Sequence, residues 1–298
     1  IPRIDFSDDA NGALLLEPTR SNLFTYSEDF SQSYWNKNSA SVTLTSKIAP
    51  NGTLNSVYNL VGTAANLWSA GTIGTQHTIS FYIKSNGQGK DKFRLRLGNN
   101  TSIEYTATNE WVRYEYTETP TTSIYSITTS SAPNDEYDLL VWGGQSEVGS
   151  YATSYIPTQG SAVTRVAETC SNENLNVDYS GDYTLYLEHE TLSLTEYNQF
   201  QFRQETSISY IFRVGNSISV GSGIYSATNT IGFNKFALSV GSDGSYSFYK
   251  NGSLLSSGSG LNANLETIKN DALGMSIKDI KLYNTKLSNA ELQALTSN

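Results

Sequence analysis

Little in this chain can cross-link it, bind a soft metal or carry it through a bilayer. It has one cysteine, Cys170, so no internal disulfide can form, and two histidines, His77 and His189, so a Cys/His zinc site is excluded as well. No apolar run approaches the roughly 18 residues that mark a membrane helix. Charged residues make up only 16% of the chain, and 19 Lys and Arg face 28 Asp and Glu, for a net charge of -9. That balance excludes a phosphate backbone as a natural partner, because nucleic acid needs clustered Lys and Arg. Met275 is the only methionine and no charged-then-apolar leader precedes Ile1, so the chain reads as a portion of a longer one.

What is present is aromatic and polar. Trp, Tyr and Phe reach 12% of the residues, enough to bury real cores, while the surface falls to Ser, Thr, Asn and Gly. At 298 residues two modules are expected. From residue 41 to about 158 the chain is a series of short runs alternating with period two, the pattern of half-buried antiparallel strands. In the run 78–84, Ile79, Phe81 and Ile83 share one face and Ser80, Tyr82 and Lys84 the other. In the run 93–97, Phe93, Leu95 and Leu97 oppose Arg94 and Arg96. Runs at 42–45, 56–61, 111–117, 123–128 and 138–142 complete the material for a two-sheet sandwich.

A second block of strands begins after Arg165, at 184–190, 200–203, 208–214, 218–220, 235–240, 246–250 and 253–255. Asp243-Gly244 and Asn251-Gly252 separate β-rich runs and tolerate the positive φ of tight hairpins. Near the end, Ser288 to Glu291 fits a capping box, with Leu287 and Leu292 placed as a hydrophobic staple around one short helix. The expected organisation is all-β: an N-terminal arm over 1–30, a first sandwich over 31–165, a linker over 166–175, and a second sandwich over 176–298. Neither module is basic, since the net charge is -6 to residue 175 and -3 beyond it.

Specific strings carry a resemblance. PRIDF, then LLLEPTRSNLFTYSEDF (14–30), YWNK and APNGT, closed by VWGGQSEVGSYATSYIPTQGSAVTR (141–165), resemble a module recurring in phage tail and other large surface proteins. That module is similar to the jelly-roll carbohydrate-binding modules of families 4 and 9. KFALSVGSDGSYSFYKNGSLLSS (235–257) followed by IKDIKLYNTKLSNAELQAL (277–295) resembles a laminin G-like or concanavalin A-like lectin domain. The resemblance implies two jelly-roll or lectin-type sandwiches in tandem, and such folds host many ligands.

Sugar binding needs a flat apolar surface for the ring faces and planar hydrogen-bonding groups around it. Tyr82, Lys84, Arg94 and Arg96 would supply a cationic, aromatic face suited to an anionic glycan, since Arg pairs with carboxylates and sulfates through two parallel bonds. The plainer reading is a solvated face whose arginines pair with Glu104, Glu115 or Glu118. Trp68, among small and turn-forming residues, is the best stacking candidate, whereas Trp35, Trp111 and Trp142 read as core. The resemblance further implies a structural calcium, for which Glu28, Asp29, Asp138 and Glu147 are candidate oxygen donors, with solvated acids as the alternative.

Catalytic readings are weaker. Glu188 and Glu190 share a strand face, but the longer acidic motif of concanavalin A-like glycosidases is missing. His189 has no nucleophile elbow beside it, Cys170 lies in a polar stretch, Gln76-His77 stands alone, and the loop 241–244 is a turn between strands rather than a phosphate loop. The expected function is therefore a non-catalytic, glycan-binding part of a phage tail fibre or receptor-binding protein. It would act outside the cell on bacterial surface polysaccharide, as a homo-oligomer and by family habit a trimer. The alternatives are an accessory region of a secreted polysaccharide-degrading enzyme and a structural fibre spacer.

Overall fold

The computed structural model describes residues 3–5, 12–129, 135–168, 170–172, 181–194, 199–203, 210–261, 264–270 and 274–297, with the side chains of 3–5 and 170–172 excepted. The described residues are all-β apart from one short terminal helix, and the chain forms two β-sandwich units. One unit is Thr19–Val166; the other joins Ile1–Pro18 to Ala167–Asn298. The expected arm over 1–30 is thus divided. Ala13–Leu16 pairs with the strand Met275–Tyr283 of the second sandwich, burying Ala13 and Leu16 there. Phe24, Phe30 and Trp35 fill the core of the first. Part of the expected linker, Cys170–Asn172, is a strand paired with Thr267–Asn270.

In the unit Thr19–Val166 a long strand, Tyr58–Ala70, joins two halves. Asn36–Leu44 runs along one of its edges. Along the other, its first half pairs with Glu136–Val148 and its second half with Ile124–Thr128. Beyond these lie His77–Ser85 and Val112–Glu118 on one side, Lys92–Leu97 and Asn100–Thr101 on the other. The inner faces enclose a core that includes Leu60, Leu67, Phe81, Phe93, Leu95, Tyr125 and Val141.

Two bulges decide which side chains face out. Along Tyr58–Ala70, the even residues Tyr58 and Leu60 point inward, but farther on it is the odd residues Ala65 and Leu67. The shift occurs where Ala64 takes φ 45° opposite Ser39 at φ 52°. Gly62 is needed there, because a Cβ would lie 2.3 Å from the Ala65 Cβ and 2.8 Å from the Ser39 carbonyl. A second register shift, between Trp142 and Gln145, turns Gln145 and Glu147 to the outer face. Asn22 anchors the N-terminal segment across this bulge. Its amide donates to the Gly144 and Ile156 carbonyls, and its oxygen accepts from the Phe24 and Ser146 amides.

The other unit packs a sheet containing Met275–Tyr283, Tyr183–Thr191, Gly232–Val240, Tyr246–Lys250 and Ser253–Gly258 against one containing Gln199–Arg203, Tyr210–Gly215 and Ser217–Val220. Between them lies a phenylalanine-rich core of Phe200, Phe202, Phe212, Phe236 and Phe248. Asn251 and Gly252 both take positive φ, at 47° and 77°, as the hairpin reading requires. At the other turn only Gly244 does, while the Asp243 carboxylate accepts from the Ser245 amide at 2.9 Å. The helix Asn289–Thr296 carries the expected capping box at Ser288 and Glu291. Its Leu292 seats on Tyr186, Ala237 and Tyr249.

Candidate functional site

The four residues expected to form one cationic face lie on two faces. His77–Ser85 and Lys92–Leu97 do not pair with each other; the first lies between Val112–Glu118 and Glu136–Val148, and the second beside Ile124–Thr128. Both runs send their apolar residues into the same core, so Tyr82 and Lys84 leave the unit on one side and Arg94 and Arg96 on the other. Alternation is correct within each strand, but adjacency in sequence is not adjacency in the sheet.

Trp68 joins the two arginines. Residues directly opposite across antiparallel strands share a face, and Asn36, Trp68, Ser126, Arg96 and Thr101 form one such row. Asn38, Asn66, Thr128 and Arg94 form the next. With strands about 4.8 Å apart, the five-residue row is roughly 19 Å long, enough for an extended ligand. Trp68 reaches this face only because of the bulge at Gly62 to Ala65; unbroken alternation from Leu60 would put it in the core.

The hydrogen bonds on this face are incomplete. Arg94 donates through Nη1 to the Ser102 carbonyl at 2.8 Å, and Arg96 through Nε to the Gly98 carbonyl at 2.6 Å. Among the described residues neither has an ion pair, and the acids offered as partners are engaged elsewhere. Glu104 pairs with Lys92 at 2.8 Å, Glu115 accepts from the Ala152 amide, and Glu118 accepts from the Thr119 amide. Asn66 Oδ1, Trp68 Nε1, Arg94 Nε and Ser126 Oγ are buried with no protein partner. A buried polar group left unmatched costs about 1–3 kcal/mol, so four on one face mark a place that a polar ligand or water completes. Two donors, one acceptor and a hydroxyl that serves as either suit a ligand rich in hydroxyls. Asn66 and Ser126 were missed in the sequence, since neither looks distinctive until the register sets it beside Trp68 and Arg94.

Tyr82 belongs instead to a covered patch. Its ring lies 5.4 Å from Trp142 and 6.3 Å from Tyr155, with the Arg113 guanidinium 5.6 Å above it. Trp35 and Trp142 are buried as expected, though Trp142 packs in this outer patch, and Trp111 is only half-buried.

The four acids proposed for calcium do not meet, and among the described residues no group of three or more His, Cys, Asp or Glu is placed to hold a metal. Asp138 and Glu147 lie on one strand roughly 30 Å apart along it. Asp138 accepts from Asn86, and Glu147 accepts from the Thr153 amide and hydroxyl. Glu28 accepts from Tyr155. Burial would raise the Asp29 pKa, but hydrogen bonds from Ser31, Gln32 and Tyr58 outweigh it and hold it down at about 2. The neighbouring carbonyls of Ser31, Gln32 and Trp35 are taken by the Lys37 ammonium at 3.0–3.1 Å. These residues do not fit a calcium ion.

Both histidines are buried. His189 is buried against Phe236 with ring centroids 5.4 Å apart, and burial with the nearby Lys250 charge pushes its pKa down to about 3. His77 has both ring nitrogens engaged, by the Thr75 carbonyl and the Thr72 hydroxyl.

No family model matches the chain, and no curated protein matches it either. Among solved structures, a Trypanosoma rangeli sialidase in complex with sialic acid is similar at a TM-score of 0.33 and 9% identity, over 91% of this chain and 55% of its own. A putative carbohydrate binding protein from Bacteroides ovatus is similar at a TM-score of 0.31 and 11% identity, over 80% of this chain and 78% of its own. The tandem CBM22-1-CBM22-2 domain of Paenibacillus barcinonensis Xyn10C is similar at a TM-score of 0.31 and 10% identity, over 90% and 97%. The chain spans about half the length of the sialidase, and at these TM-scores the likenesses carry no inference about its ligand.

Proposed function

We propose that this chain is a non-catalytic glycan-binding protein that holds a polysaccharide on the outer face carrying Asn66, Trp68, Arg94, Arg96 and Ser126. The observation that carries this reading is the convergence of three separate strands on one face where four buried polar atoms lack partners. The half-buried indole offers a stacking surface, and the two arginines, free of acid partners among the described residues, favour a glycan bearing carboxylate or sulfate groups. The resemblance of the strings at 14–30 and 141–165 to phage tail modules supports a receptor-binding setting, with bacterial surface polysaccharide as the partner. In a trimeric fibre, weak sites would gain avidity through effective concentration.

Affinity electrophoresis against neutral and anionic polysaccharides tests this. Retention by an anionic polymer is expected to weaken at least tenfold in Trp68→Ala and in the Arg94→Gln/Arg96→Gln pair, as a hydrogen bond to a charged group is worth about 1.5–3 kcal/mol. Retention unchanged in both variants overturns the assignment.

A further inference from the structure

We infer that the unit Thr19–Val166 has a second ligand site, on the face opposite Trp68, that takes a sugar ring bearing a carboxylate. The loop between Asn36–Leu44 and Tyr58–Ala70 folds over the outer surface of the sheet and is pinned where Trp111 Nε1 donates to the Ile48 carbonyl at 3.1 Å. Beneath it is a cavity of about 430 Å³, lined chiefly by Lys47, Ile48, Lys84, Asn86, Trp111 and Leu140. That volume falls within the range of about 300–1,000 Å³ usual for small-molecule sites.

The lining divides by chemistry. Leu140, Ile48 and the Trp111 indole give an apolar wall for one face of a ring. Lys84 and Lys47 give two positive charges, and Asn86 an amide that already donates to the Asp138 carboxylate at 2.9 Å. Lys84 is half-buried, yet it makes no hydrogen bond or ion pair among the described residues, in a chain whose net charge is -9. Its ammonium has no protein anion beside it among those residues, and a ligand carboxylate supplies one. An aromatic wall and two lysines at its rim together describe a hexuronate. The inference stands apart from the Trp68 face and does not depend on it.

The four tryptophans, Trp35, Trp68, Trp111 and Trp142, let one measurement separate the two faces, since each indole N–H gives its own nitrogen-15 NMR signal. Titration of the whole chain with sodium D-glucuronate should shift the Trp111 signal saturably, and D-glucose should need at least tenfold higher concentration. Lys84→Gln breaks no hydrogen bond or ion pair within the described residues, so its fold should survive, and it should weaken the glucuronate response at least tenfold. Lys84→Arg should keep the response. A Trp111 signal unmoved by glucuronate, or moved equally in Lys84→Gln, overturns the second site. Movement of Trp68 alone would do the same while leaving the Trp68 face standing. Movement of Trp111 with Trp68 silent would support the second site whatever becomes of the first.

Discussion

At the scale of single residues, the strongest constraint is His189. It sits 0% exposed on the core side of its strand, and burial followed by the Lys250 charge lowers its pKa from 6.5 to about 3. An unfolded chain takes up this proton below about pH 6.5, whereas the folded unit refuses it until about pH 3. Stability is therefore full above pH 6.5 and falls as the pH drops toward 3, by at most about 1.4 kcal/mol per pH unit for one proton. Asp29, in the other unit, contributes stability that is full above 3.8 and is lost as the pH falls through about 2. The two units should thus weaken in different windows. All four tryptophans lie between Thr19 and Val166, so indole fluorescence follows that unit alone. Between pH 6.5 and 5, urea midpoints by fluorescence should hold steady while a second transition, seen by circular dichroism, moves to lower urea. His189→Gln should flatten that movement, and an unflattened slope would assign the acid response elsewhere.

At the scale of elements, alternation made the strands 77–85 and 92–97 legible, and the sequence also marked the Asn251-Gly252 hairpin and the terminal capping box. What it could not show was pairing. Tyr82, Lys84, Arg94 and Arg96 have the same polarity in their own strands, and only the sheet order sends them to opposite sides. Bulges were hidden for a related reason, because they break the period on which the reading depends. Trp68 was singled out for its small neighbours, but its exposure comes from the parity shift at Gly62 to Ala65 within a continuous strand. A Cβ at residue 62 would meet the Ser39 carbonyl at 2.8 Å, a backbone atom that cannot swing aside. Gly62→Ala should cost about 1–3 kcal/mol in the fluorescence-detected transition. It should also weaken glycan retention, since the bulge sets the aim of Trp68. An unchanged midpoint would mean that the bulge absorbs a methyl group, and the parity argument would then fail.

At the scale of the whole molecule, the second sandwich is built from two separated stretches. Ala13–Leu16 covers the edge of Met275–Tyr283 at Met275 to Ile277, with Leu16 fully buried, and Glu168 donates its amide to the Glu17 carbonyl at 2.9 Å. A fragment of residues 167–298 would keep most of the phenylalanine core but lose this strand. Burial of a leucine side chain is worth roughly 1.5–3 kcal/mol, and the bared edge would present unpaired amides and carbonyls to other chains. The unit Thr19–Val166 is continuous in sequence. Expressed apart, 19–166 should be monomeric with the fluorescence transition of the whole chain. The fragment 167–298 should melt lower and self-associate on size-exclusion chromatography with light scattering. Restoring residues 12–18 through a flexible linker should recover the monomer. Recovery of the monomer without those residues would show that the Met275 edge needs no cover, and that Ile1–Pro18 is not part of the second sandwich's cooperative unit.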